Sequence, residues 1–303
     1  MSENVKWDGK TKAPRLGMRI FEILIKVGGI IPAYFILSFV ALVYTFKNND
    51  VKRNLRSYRK KLGLKTNFFN FYVHNFAVGF TMVDRFAHLI KKKSPFRFEN
   101  IGEEHLHNAL ANQKGLILLS AHIGNQEVAG DVLFERIQTK VNYFMLDNES
   151  EAVKQLTNRL SESRNVAIVP TNSDPFSKMI AIKKAIEHNE IVCMLGDRVF
   201  GEESSKKQVF LGQEAEFPTF PFEIAALTGA PIIAVVTVKT GLYRYRQKVY
   251  EYISFDGINR KNRADYIQTA MQKYVTILEQ IVRETPYQWF NFYDFWNEFD
   301  SKE

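Results

Sequence analysis

From residue 97 onward, short apolar runs alternate with stretches of helical periodicity, and this alternation restricts the fold more than any other feature. Runs at 115–120, 141–146, 166–170, 191–195 and 231–240 have strand length, and 243–255 shows partial period-two alternation. Between and after them, 125–136, 149–163, 175–188, 218–228 and 263–284 read as helices. Short, nearly continuous apolar strands must be covered on both faces, which is the pattern of a mostly parallel sheet between helices. Gly229-Ala230-Pro231 stops a helix directly before a strand. The expected fold is α/β: a mostly parallel central sheet flanked by helices, preceded by an N-terminal hydrophobic, membrane-associated helix. With 303 residues and 46% hydrophobic composition, the chain has enough apolar material for one large domain.

The N-terminal helix follows from residues 27–46, which carry no formal charge and are bracketed by Lys26 and Lys47. Twenty helical residues rise about 30 Å, enough to cross a bilayer core. Gly28, Gly29 and Pro32 weaken its start, so a spanning helix, a partly inserted interfacial one and a buried core helix all remain open. The long polar stretch before it and the Thr45-Phe46-Lys47 ending do not read as a cleaved signal peptide. Residues 51–93 read as two amphipathic helices separated near 63–65. The second can pack on the domain, lie on a membrane or line an acyl-chain groove. The expected division is a flexible segment at 1–16, an anchor with amphipathic helices at 17–93, and a catalytic α/β domain at 94–303.

Charge follows the same division. Residues 1–100 hold 19 Lys and Arg against 6 Asp and Glu, whereas the remainder holds 22 against 27. A basic end that is also the apolar end suits anionic lipid head groups. Nucleic acid is not expected, because the positive charge sits beside a long apolar segment and no zinc-finger spacing occurs. If the apolar segment spans, the eight Lys and Arg of 47–65 against Asp50 keep the large domain in the cytoplasm. The single cysteine, Cys193, lies in the apolar run IVCML and reads as a buried, inert thiol.

The chemistry concentrates in LLSAHIGNQE, where His122 and Glu127 form an H-x4-E element directly after the strand at 115–120. Five positions along a helix put two side chains about 140° apart. The pair therefore meets better with His122 in a turn and Glu127 on the first helical turn. A carboxylate bonded to one imidazole nitrogen fixes the tautomer, and the other nitrogen can then remove a hydroxyl proton. Ser120 lies outside any G-x-S-x-G elbow. The six histidines form no dense ligand cluster with His122, so no metal is expected, and no nucleotide, flavin or lysine cofactor motif stands out. The polar stretch at 200–210 reads as a flexible loop, with Lys206 and Lys207 able to face a head group, an acidic carrier protein or solvent.

Around this element the chain resembles the bacterial lipid A biosynthesis (lauroyl/myristoyl) acyltransferase family, within the wider H-x4-D/E glycerolipid-acyltransferase type. Family members read close to HxGNWE; here the run is His122-Ile123-Gly124-Asn125-Gln126-Glu127, with Gln126 at the usual tryptophan. The resemblance continues in order through Leu146-Asp147-Asn148, Arg159, Gly196-Asp197, Phe217-Pro218 and Ala225 to Pro231. It closes on Pro286-Tyr287-Gln288-Trp289-Phe290.

The resemblance implies transfer of an acyl chain from a thioester, on acyl-carrier protein or CoA, to a hydroxyl of a lipid acceptor, with no further cofactor. It makes His122 the general base and Glu127 its partner. It places Asn125, Asn148, Arg159 and Asp197 among residues that organise the pocket or contact polar substrate groups. Arg198 is a candidate for a phosphate or carboxylate contact, or for a salt bridge. The implied location is the bacterial cytoplasmic (inner) membrane, with the catalytic domain facing the cytoplasm. The family's basic, tryptophan-containing ending is replaced here by Asn291-Phe292-Tyr293-Asp294-Phe295-Trp296. That departure weakens assignment to a highly phosphorylated lipid A precursor and leaves room for another membrane acceptor. Trp289, Phe292, Phe295 and Trp296 either line an acyl groove or close the core. A lipid ester or thioester hydrolase and a non-catalytic membrane-bound lipid-binding protein are the competing functions.

Overall fold

The computed structural model describes residues 15–90, 94–126, 128, 130, 137, 139–145, 166–170, 175–199 and 203–296. The predicted helix at 149–163 and the candidate residues Glu127, Asn148 and Arg159 lie outside these.

Seven strands form one sheet in the order β1-β9-β8-β2-β5-β3-β4. They are β1 (Arg97–Ile101), β2 (Leu116–Ser120), β3 (Val141–Met145), β4 (Val166–Pro170), β5 (Ile191–Leu195), β8 (Ile232–Gly241) and β9 (Arg244–Val249). Every pairing in the sheet is parallel except β8 with β9. The alternation of apolar strands with helices therefore produces the expected mostly parallel sheet. Leu116 to Leu119 and Ile191 to Met194 are buried throughout, because these central strands are covered on both faces. On one face, β2 and β5 contribute Ile117, Leu119, Val192 and Met194 to a cluster that includes α6 (Pro175–Glu187), α7 (Phe220–Thr228) and α8 (Arg263–Glu284). On the other face, Leu118, Ile191 and Cys193 pack with Leu106 and Ala109 of α5 (Glu103–Ala111). Cys193 is buried and unbonded, and burial raises its thiol pKa.

The stretch expected to be a flexible loop at 200–210 instead contributes a strand. β6 (Ser205–Phe210) pairs antiparallel with β7 (Gln213–Pro218) across a two-residue turn in which Leu211 and Gly212 both have positive φ. The alternation that builds it is visible once the faces are separated: Phe210, Ala215 and Phe217 are buried while the polar residues between them face out. Lys207 pairs with Glu214 across the hairpin.

Among the described residues the N-terminal part holds four helices, α1 (Arg15–Gly28), α2 (Ile30–Lys47), α3 (Asn49–Lys61) and α4 (Phe68–Ile90). Gly29 at φ 76 interrupts the apolar run, so one predicted helix becomes two. α2 is long and apolar enough to cross a membrane. One stripe of it, Ile30, Ala33, Leu37, Ala41 and Thr45, is nevertheless buried, and its neighbour is α4. The close approach is visible at Gly79 of α4, where a Cβ would lie 2.2 Å from the Leu37 side chain. The opposite stripe, Ile31, Phe35, Phe39, Val43 and Phe46, is 49–64% exposed.

Candidate active site

Strand register assembles the site. β2 and β5 are parallel neighbours with Ser120 opposite Leu195, so two residues further on each chain His122 and Asp197 leave the sheet side by side. This is the carboxyl edge of the parallel strands, where open α/β sheets bind their ligands. His122 Nδ1 lies 2.8 Å from Asp197 Oδ1, and the His122 backbone N–H donates to Asp197 Oδ2 at 3.0 Å. The indole N–H of Trp289 donates to the same oxygen at 3.2 Å. An ionised carboxylate only accepts, so Nδ1 carries the proton and Nε2 is left as a lone-pair base. Nε2 has no hydrogen-bond partner among the described residues, and the ring keeps 22% of its surface exposed while Asp197 is fully buried.

Burial lowers the His122 pKa, Asp197 opposes that and Arg198 adds to it; the net result lies below the ordinary value, so the ring is a neutral base at pH 7. Burial acts to raise the Asp197 carboxyl, but the His122 ring, its hydrogen bonds and the Arg198 guanidinium outweigh it, and its pKa lies below the ordinary value. The carboxylate therefore stays charged behind the imidazole and can stabilise the imidazolium that proton transfer forms.

The loop carrying His122 is fixed on several sides. Gly124 N–H donates to Gln288 O at 2.8 Å and Phe290 N–H to His122 O at 2.8 Å, so the C-terminal segment pairs with it. Asn125 N–H donates to Thr237 O of β8 at 2.9 Å. Gly124 has φ 64, and a Cβ there would lie 1.9 Å from Thr237 O; only glycine lets the loop lie against β8. Asn125 is buried. Its Oδ1 accepts from Val128 N–H, and its Nδ2 donates to Thr81 O of α4 at 3.0 Å and reaches the Tyr245 hydroxyl at 3.4 Å. Its side chain thus serves as a cap and a tie to the N-terminal helices.

Tyr245 leads to a second buried polar group. Its hydroxyl and that of Tyr34, from α2, both donate to Asp84 of α4, and Lys239 Nζ of β8 lies 2.5 Å from the same carboxylate. Asp84 is fully buried, and the Lys239 side chain keeps 9% of its surface exposed. Gln288 clamps the Lys239 backbone on both sides, donating to its carbonyl at 2.9 Å and accepting from its N–H at 2.8 Å.

Arg198 Nε donates to Asn291 Oδ1 at 2.7 Å and its Nη2 to Phe290 O at 2.6 Å, so it anchors the C-terminal segment. The Ser120 hydroxyl donates to Val235 O at 2.7 Å and is not poised as a nucleophile. Trp289, Phe295 and Trp296 are buried against Phe210, closing the core beneath the site. The Trp289 contact to Asp197 had one sequence signal, the Gln288-Trp289-Phe290 run, but nothing there indicated which group the indole would meet. Among the described residues no group of three or more His, Cys, Asp or Glu could hold a metal ion.

A buried carboxylate behind a partly exposed imidazole can hold and move a proton at one atom. The class this belongs to is the lipid acyltransferases. Residues 41–298 match the family described as bacterial lipid A biosynthesis acyltransferase, and the chain belongs to that family. It is accordingly an acyltransferase with an acyl donor and a lipid acceptor. Among solved structures it is similar to the 1-acyl-sn-glycerophosphate (LPA) acyltransferase PlsC from Thermotoga maritima. That alignment has 11% identity and a TM-score of 0.38, and covers 87% of this chain and 95% of that one. No curated protein sequence matches.

Proposed function

We propose that this protein is a membrane-associated O-acyltransferase that moves a fatty acyl chain from acyl-carrier protein or CoA to a hydroxyl of a lipid acceptor, with His122 as general base. The observation that carries the reading is the 2.8 Å contact between His122 Nδ1 and Asp197, which leaves Nε2 open at the carboxyl edge of the sheet. Nε2 takes the acceptor's hydroxyl proton as that oxygen attacks the thioester carbon. The tetrahedral oxyanion collapses, the C–S bond breaks, and the imidazolium returns its proton to the departing thiolate. The products are the acylated lipid and the free carrier thiol. Asp197 holds the tautomer and stabilises the charged ring throughout.

The exposed stripe of α2 supports the membrane half of the reading. Full burial of a side chain of this kind is worth about 1.5–3 kcal/mol, so seating five half-exposed ones in lipid gives roughly 5 kcal/mol. With the other stripe of α2 packed on α4, the helix lies in the face of the bilayer as part of a monotopic anchor. The basic first hundred residues favour the anionic cytoplasmic leaflet of the inner membrane, with the catalytic domain in the cytoplasm.

The test is to incubate purified protein and His122→Ala with labelled acyl-carrier protein, or acyl-CoA, and total lipid, and to analyse the lipids by mass spectrometry. The expected result is a lipid heavier by one acyl group from wild type only. Retained transfer in the variant overturns the base assignment, and released fatty acid as the sole product overturns transfer in favour of hydrolysis.

A further inference from the structure

We propose that Arg97 and Arg244 form a binding site for the phosphate of a membrane-lipid head group; this rests on the membrane-seated reading above. β1 and β9 run in parallel with Arg97 opposite Arg244, Phe98 opposite Tyr245 and Glu99 opposite Arg246. Two of these three pairs are complementary. Phe98 stacks on Tyr245 at 5.6 Å, and Arg246 bonds Glu99 at 2.8 Å. The first pair is instead two exposed arginines in register, and neither has an acidic partner among the described residues. Like charges directly opposite on neighbouring strands repel, and an anion held between the two would relieve that repulsion.

The surroundings suit a lipid phosphate. Arg97 and Arg244 line a cleft of about 440 Å³ whose other walls are Pro95, Leu242 and Tyr243. That is two bidentate donors for phosphate oxygens beside an apolar wall for the glycerol and upper chain. Tyr243 also packs in the apolar cluster that contains Ile30 and Leu37 of α2, so the cleft adjoins the helices with the lipid-facing stripe. β9 turns back from the end of β8, which puts the cleft at the same sheet edge as His122. Gly124 bridges to Thr237, and the four residues from there to Gly241 extend about 13 Å along the strand. A head group held here would sit roughly 13 Å along the strand from the catalytic loop, on the same edge of the sheet.

The experiment measures partition of the full chain onto vesicles of phosphatidylcholine alone and of phosphatidylcholine with phosphatidylglycerol. It compares wild type, Arg97→Gln with Arg244→Gln, and a control that removes Arg260 and Lys261, exposed cations on the loop before α8. The expected result is that wild type prefers the anionic vesicles by at least about tenfold. The double arginine variant loses about tenfold or more of that preference, beyond what the control loses, with its partition onto neutral vesicles unchanged. An anionic preference equal in wild type and the arginine variant overturns the site. Absence of wild type from both vesicles overturns the membrane reading itself. Calorimetric titration with inorganic phosphate separates the sources. Arginine-dependent binding of the free anion without any vesicle preference overturns the lipid assignment and leaves a soluble phosphate as the ligand.

Discussion

Replacing Asp197 by Asn tests the catalytic assignment most directly, because the change conserves shape and alters hydrogen-bond logic. Three donors converge on the two carboxylate oxygens: the His122 backbone N–H and the Trp289 indole on Oδ2, and the His122 ring on Oδ1. An asparagine has one accepting oxygen. Its best placement turns that oxygen to the backbone and indole donors, which leaves its NH2 facing His122 Nδ1. Nδ1 must then accept, the ring proton moves to Nε2, and the atom assigned as base becomes a donor. Loss of the right tautomer and of the charge behind the imidazolium together cost on the order of 10³–10⁴ in kcat, about 4–5.5 kcal/mol of barrier. Folding changes far less, since two of the three hydrogen bonds survive and the desolvation cost of a buried anion is removed. The assay is single-turnover acyl transfer at saturating donor, with a thermal melt of the same preparation. Transfer within tenfold of wild type by a folded D197N protein would refute the argument. Asp197 raises the His122 pKa, so its removal moves the acid limb of any residual activity to lower pH. A shift to higher pH contradicts the electrostatics.

Other consequences can be measured separately. In the wild type, the rate holds as pH falls from 8 to 6.5 and declines only below the ordinary histidine range, because burial lowers the His122 pKa and protonation removes the base; a pH–rate profile checks this. Gly124→Ala places a methyl against Thr237 O at positive φ and should destabilise by about 3 kcal/mol or more and abolish transfer, as read by melting temperature and turnover. Burial lowers the pKa of His74, which bonds Trp289 O at 2.8 Å, to about 4. The unfolded chain takes up this proton below about pH 6.5 and the folded protein only below about 4. This histidine costs nothing above 6.5, and stability falls by roughly 3 kcal/mol between there and pH 4; denaturant titrations of wild type and His74→Gln should differ in that window. Lys239→Met leaves the Asp84 carboxylate buried without its cation and should cost about 3–5 kcal/mol. Asp84→Asn added to it should recover most of that loss in equilibrium unfolding.

Much of the fold could be read from the sequence because its strands are buried on both faces. β4, β5 and α8 start and stop where the pattern put them: the two strands are bounded by polar or turn residues, and α8 carries a long apolar stripe closed by Thr285-Pro286. β1 was not legible. RFENI is an edge strand with alternate residues exposed, and its charged side chains resemble those of a loop. β6 and β7 were hidden for a related reason, since a two-stranded hairpin buries one face only and SKKQVF supplies few apolar residues to show it. At the site, His122 stood out by its position after an apolar run, and Glu127 by its nearness in the chain. The group that meets Nδ1 is 75 residues away and arrives through the register of β2 with β5, a relation that no local spacing encodes.

The connections around residues 122–125 explain why the chemistry falls on one atom. The backbone donors of residues 122–125 all have acceptors, on Asp197, Ala121, Gln288 and Thr237, and the Asn125 amide is used up by Thr81 and Tyr245. Rigid pairing on both sides holds the loop to a small fraction of its otherwise available conformations, a cost met at folding and not at each turnover. His122 Nε2 has no partner among the described residues and is open to an acceptor hydroxyl. The same ties run outward: Tyr245 and Lys239 share Asp84 with Tyr34 of α2, so the helix whose other stripe is apolar and exposed is joined through three side chains to the loop that bears the base. On the membrane-seated reading proposed above, such a joint lets the anchor's seating, and not a flexible linker, set the height of the proposed base above the bilayer.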